Sequence, residues 1–169
     1  MNDVKFTDIV KIYNEEISKR VKNKKKINDF EMHKITYLRS IYDVLKSGNY
    51  NNLRYNIFLI KEPKYRIIMS QGVYDKVINH YIAKYILDKK LSKYLDNRNV
   101  ATRKNTGSSY GIDLVIKYIE ELKRKHKEFY ILKLDISKYF YSIDHEVLKS
   151  LLKDKLNSNY YSFLETIID

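Results

Sequence analysis

Apolar positions recur along the first part of the chain with the spacing of a helix. Phe6, Ile9, Val10, Tyr13, Ile17 and Val21 form one stripe, which predicts an amphipathic helix over residues 3–22. The run Lys22 to Lys26 then ends it. That cluster can contact phosphates, but a solvated helix end facing the negative pole of the helix dipole explains it more simply. Ile35, Leu38, Ile41, Tyr42 and Leu45 mark a second helix, closed by the turn residues Ser47-Gly48-Asn49.

The period changes at Tyr55. YNIFLI and YRIIM are dense in β-branched and aromatic residues and flank Lys61-Glu62-Pro63-Lys64, the pattern of a hairpin whose turn is preset by Pro63. Lys61, Lys64 and Arg66 therefore gather near its tip, where edge lysines can also serve only to discourage aggregation. Helical spacing returns from Val73 to about Leu91, with Val77, Ile78, Tyr81, Ile82, Tyr85 and Ile86 on one face and Asp75 in the first turn, where the dipole favours an acid.

Residues 92–110 have little apolar period and hold Arg98, Arg103, Lys104 and Gly107 among Asn, Thr and Ser. They read as a long, flexible basic loop suited to following phosphates. A further helix opens at Gly111 or Asp113 and carries Ile112, Val115, Ile116, Ile119 and Leu122. FYILKLD then reads as a short buried strand that delivers Asp135 at its end. Ser142 or Asp144 caps a helix with the apolar face Val147, Leu148, Leu151, Leu152 and Leu156, and SNYYSFLETIID begins another.

Composition narrows the chemistry. The 169 residues include no cysteine, which excludes disulfides and thiolate metal sites and leaves oxygen or histidine ligands, a set that suits magnesium. Lys and Arg number 33 against 21 Asp and Glu, a net charge of +12 that favours a polyanionic partner, nucleic acid ahead of a membrane surface. A Lys-, Asn-, Tyr- and Ile-rich chain also follows from A/T-rich coding sequence, so charge alone does not decide. No signal pattern opens the chain, and no apolar run approaches the roughly 18 residues of a spanning helix, so the expectation is a cytoplasmic protein without a membrane partner.

Three stretches, in order, resemble the motifs of a reverse transcriptase, most closely the bacterial kind related to group II intron, retron and phage-defence enzymes. KEPKYRIIMSQGVYDKVINHYIAKYIL is similar to the first fingers motif, although Ile-Ile-Met-Ser-Gln stands where Leu-Gly-Ile-Pro is usual. VATRKNTGSSYGIDLVI is similar to the second, with Ala101-Thr102 in place of Gly-Phe. LKLDISKYFYSIDHEVLKSLL is similar to motif A and is the most specific of the three matches.

The resemblance implies an α+β fold: reverse-transcriptase fingers, built of helices and a small antiparallel sheet, followed by the first strand and helix of a right-hand polymerase palm. The expected divisions are a helical extension over 1–52, fingers over 53–127 and the start of a truncated palm over 128–169. It implies that Asp135 is the catalytic aspartate and, with the carbonyl of Ile136, a magnesium ligand, that Phe140 gates against the ribose 2′-hydroxyl, and that Lys64, Arg66 and Arg103 contact the incoming dNTP or the template. The implied partners are an RNA template, a DNA primer and dNTP. Two-metal nucleotidyl transfer needs at least two carboxylates around the metal pair. No Tyr-x-Asp-Asp segment supplies the others here, so the chain is expected to be the inactive N-terminal part of an RNA-directed DNA polymerase. The alternative is a non-catalytic, basic nucleic-acid-binding module, and a third reading is a plain helical interaction domain.

Overall fold

The computed structural model describes residues 3–50, 55–101, 103 and 105–168. Lys104, which the sequence places in the basic loop, and Thr102 lie outside the described residues. The chain divides into two compact units, one made of residues 1–90 with 144–169 and the other of 91–143.

The first unit is a helical cluster that carries a β-ribbon. Helix α1 (Phe6–Ile12) runs on into a π-helical turn, Tyr13–Ile17, in which the Ser18 amide reaches back five residues to the Tyr13 carbonyl at 2.8 Å. The wider turn keeps Tyr13 and Ile17 on one face, and Ile9, Ile12, Tyr13 and Ile17 are all buried. Ile12, which a strict helical period leaves off the stripe, joins the core as well.

Helix α2 (Lys24–Met32) is an element the hydrophobic pattern does not predict. Asn23 caps it, its side-chain oxygen accepting from the Lys26 amide at 3.2 Å, so the lysine run opens a helix instead of closing one. Lys24, Lys25 and Lys26 therefore sit at the positive pole of a helix dipole, not at the negative one. Helix α3 (Lys34–Ser47) ends where expected, at Gly48 in the left-handed conformation with φ 76°.

Strands β1 (Tyr55–Lys61) and β2 (Tyr65–Gln71) pair antiparallel from Tyr55↔Gln71 to Lys61↔Tyr65. Helix α4 (Val73–Tyr81) continues as a second π-helical turn, Ile82–Leu87, which buries Ile82 and Ile86, and then as α5 (Asp88–Leu91). Helices α1, α3 and α4 pack on one another, with Ile41, Leu45, Val77 and Ile78 wholly enclosed. The amphipathic pattern dictates this, since each helix has a stripe that only the others can cover.

Two further helices complete the first unit. Asp144 caps α7 (His145–Lys153), its Oδ1 accepting from the amides of Glu146 and Val147 at 2.8 and 3.1 Å. Helix α8 (Ser158–Ile168) buries Tyr160, Phe163 and Leu164. Phe163 meets the ring of Tyr50, and Tyr160 donates to Asp3 Oδ2 at 3.0 Å, so the two sequence segments of the unit share one core.

The second unit holds a 3-10 turn at Ser92–Tyr94, helix α6 (Ser108–Lys125) and a 3-10 turn at Tyr139–Ser142. Helix α6 begins at Ser108, earlier than Gly111 or Asp113, and none of its residues is buried. The strand predicted over FYILKLD is not formed. Residues 128–136 belong to no sheet, and the side chains meant for the interior stand in solvent, Tyr130 being 94% and Leu134 80% exposed. An apolar run specifies a buried strand only where neighbours pair with its edges, and among the described residues the sheet consists of β1 and β2 alone.

The architecture is thus mixed α and β, with helices and a two-stranded antiparallel sheet. No helix among the described residues is long and apolar enough to cross a membrane.

Candidate nucleic-acid interface

The hairpin tip is built by a turn in which the Glu62 amide donates to the Lys64 carbonyl at 3.2 Å, with Pro63 between them. Pleating then sorts the cations. Arg66 lies opposite Ile60 on one face, whereas Lys61 lies opposite Tyr65 on the other, its amine 5.2 Å from the centre of that ring. Lys64 sits in the turn between the strands, and Lys61, Lys64 and Arg66 are all exposed. The ribbon thus offers cations to both sides of its tip rather than a single patch.

The loop before α6 is less free than its composition suggests. Arg98 forks onto Asp96, Nε to Oδ1 at 2.9 Å and Nη2 to Oδ2 at 2.7 Å, while its backbone amide donates to the same carboxylate at 2.7 Å. Those hydrogen bonds, led by the guanidinium's, hold the Asp96 carboxyl well below the usual carboxylate range and raise Arg98 in turn. Arg103 turns inward, donating from Nη1 to the Asp96 carbonyl at 3.0 Å. Thr106 Oγ1 lies 2.8 Å from the Val100 carbonyl and 3.0 Å from that of Arg103. The expected flexible basic segment is therefore an internally braced loop, and Arg103 helps to fold it.

Asp135 is exposed on the irregular stretch before the second 3-10 turn, followed by exposed Ile136 and Phe140. Lys138 adopts the left-handed conformation, φ 51° and ψ 37°, which a lysine rarely does. This bend lets the amides of Tyr141 and Ser142 donate to the Lys138 carbonyl at 2.8 and 3.1 Å, and Ser142 Oγ donates to Tyr139 O at 2.8 Å. Phe140 packs edge-on against Tyr139, 5.3 Å between ring centres, and is otherwise 83% exposed. The strained residue thus lies inside the most specific motif and sets where its aromatics project.

Magnesium is expected at Asp135 and the carbonyl of Ile136, two exposed residues. Among the described residues, no three side chains of His, Cys, Asp or Glu gather to hold a metal ion, and Asp135 offers a single carboxylate in solvent. No protein-family model matches the sequence, and no curated protein matches it.

One group of side chains escaped the sequence pattern. Arg20, Lys22, Lys26, Lys76 and His80 line a single open cleft, although they come from distant parts of the first unit. Only the lysine run hinted at it, and that run reads as a solvated end while α2 goes unrecognised.

Proposed function

We propose that the chain serves as the fingers and first palm segment of an RNA-directed DNA polymerase, binding a template–primer and an incoming dNTP. What supports the reading is the stretch LKLDISKYFYSIDH, with Asp135 and Phe140 at the positions of the motif A aspartate and gate, preceded in the expected order by a basic antiparallel hairpin. In this reading Arg66, with its planar fork of donors, and Lys64 engage the triphosphate, and Arg103 acts by holding its loop in shape. Nucleotidyl transfer would draw on carboxylates beyond Asp135.

The decisive experiment measures binding of an RNA-template–DNA-primer duplex to the 169-residue chain with and without the complementary dNTP. The cognate dNTP should tighten the complex, and Arg66→Ala should abolish that tightening while leaving the basal affinity within a few fold. An equal response to cognate and non-cognate dNTP would sink the reading. A non-catalytic nucleic-acid-binding module is the second reading, supported by the net charge of +12 and the exposed cations at the hairpin tip. It predicts binding indifferent to dNTP but steeply dependent on salt.

A further inference from the structure

The cleft lined by Arg20, Lys22, Lys26, Lys76 and His80 has a volume of about 520 Å³, within the size range of ligand sites. Its walls come from the end of the Tyr13–Ile17 turn and the chain after it, from the first turn of α2, from the end of β2 and from α4. Lys26 and Lys76 are half-buried, where a charge loses part of its hydration, yet among the described residues neither they nor Arg20 or Lys22 has an ion-pair partner.

The acid in the cleft, Glu16, is already engaged by His80 Nδ1 at 3.0 Å and by Lys84. Asn79 Nδ2 donates to Gln71 Oε1 at 2.7 Å, fixing two amides as neutral hydrogen-bonding wall. Lys26 also sits at the positive end of α2, so the cleft combines unpaired cations with an unfavourable dipole. Several cations lining one cleft favour an anion of more than one charge over a single carboxylate.

We infer that this cleft binds consecutive phosphates of a single nucleic-acid strand. Repeated phosphates match cations spread along an open groove, and Lys and Arg side chains with amide groups are the usual donors to a sugar–phosphate backbone. The inference does not need the polymerase reading, since the cations of the hairpin tip, Lys64 and Arg66, lie outside the cleft and can be varied separately.

Fluorescence anisotropy with a labelled oligo(U) tests it on the whole chain. The double variant K26Q/K76Q should bind about tenfold more weakly, and the slope of log K against log salt should become shallower by about 1.4, roughly 0.7 for each phosphate that a lysine no longer neutralises. The hairpin variant K64Q/R66Q should leave the contribution of the cleft in place, so the two effects add. In parallel, the NMR signals of the His80 ring in the unaltered protein should shift on adding oligo(U). Unchanged affinity and slope in K26Q/K76Q, or a silent His80, would overturn the inference. So would binding of free tripolyphosphate through these lysines that oligo(U) does not displace, since the ligand would then be a free polyphosphate.

Discussion

Single side chains settle several local questions, and the clearest is Asp75. It is only 8% exposed, and Tyr50 Oη donates to its Oδ1 at 2.5 Å. Its place in the first turn of α4 suits an acid by the dipole alone, but burial adds a requirement for a partner. Tyr50→Phe removes the donor and leaves a buried oxygen unsatisfied, so urea unfolding should show a loss of about 1–3 kcal/mol. A second residue-level prediction follows from the buried tyrosines. Burial, ahead of the hydrogen bond to Glu31, raises Tyr13; burial, ahead of Asp75, raises Tyr50; and burial pushes Tyr81 up to about 12. Unfolded tyrosines titrate near 10. Between that value and the folded values the unfolded chain binds fewer protons, so stability is full below pH 10 and falls as pH rises. A melting temperature that stays flat from about pH 9 to 11 would contradict this.

At the scale of elements, the hairpin and the caps were legible in the sequence because short-range rules govern them. Pro63 with β-branched runs gives the ribbon, Gly48 ends α3, and Asp144 starts α7. Gly48→Ala should cost about 1 kcal/mol in thermal unfolding, because a Cβ there meets no atom within 4 Å and only the left-handed backbone opposes it. Elements that depend on distant partners were not legible. FYILKLD looks like a buried strand by composition but has no strand beside it, and α2 hides behind lysines whose Asn23 cap carries the only local cue. Likewise, Asp135 could be named from its motif but not its exposure, and the inward turn of Arg103 follows from a loop fold that spacing does not encode. The ribbon itself has little to hold it, since Ile57, Leu59, Ile67 and Met69 lie together on one exposed face. An unpacked two-stranded ribbon is marginal in water. Hydrogen exchange should therefore be much faster for the amides of β1 and β2 than for those of α1, α3 and α4, and template–primer should slow it if the hairpin is the contact. Equal protection in strands and helices would mean that the exposed face is covered.

Over the whole molecule, burial is divided unevenly between the two units. Every fully enclosed side chain, from Ile9 and Tyr13 to Phe163, belongs to the first unit, and no described residue of 91–143 is buried. The second unit is held instead by local hydrogen bonds such as those of Arg98 and Arg103. Cooperative unfolding needs a shared core, so the heat-induced transition should report the first unit alone. The same asymmetry predicts the outcome of limited proteolysis. Trypsin should cut first near Lys125 to Lys133, where the chain is exposed and outside regular structure after α6. That cut severs the backbone between the two segments of the first unit but leaves their contacts: Phe163 against Tyr50, Tyr160 bonded to Asp3, and Tyr160, Phe163 and Leu164 buried. The nicked protein should thus elute from a sizing column as one species, with mass spectrometry finding both pieces, and should separate only in denaturant. Phe163→Ala removes a large buried ring, a change worth about 3–5 kcal/mol, and should let the pieces part without denaturant. If the unaltered nicked chain separates in plain buffer, α8 does not belong to the core of the first unit.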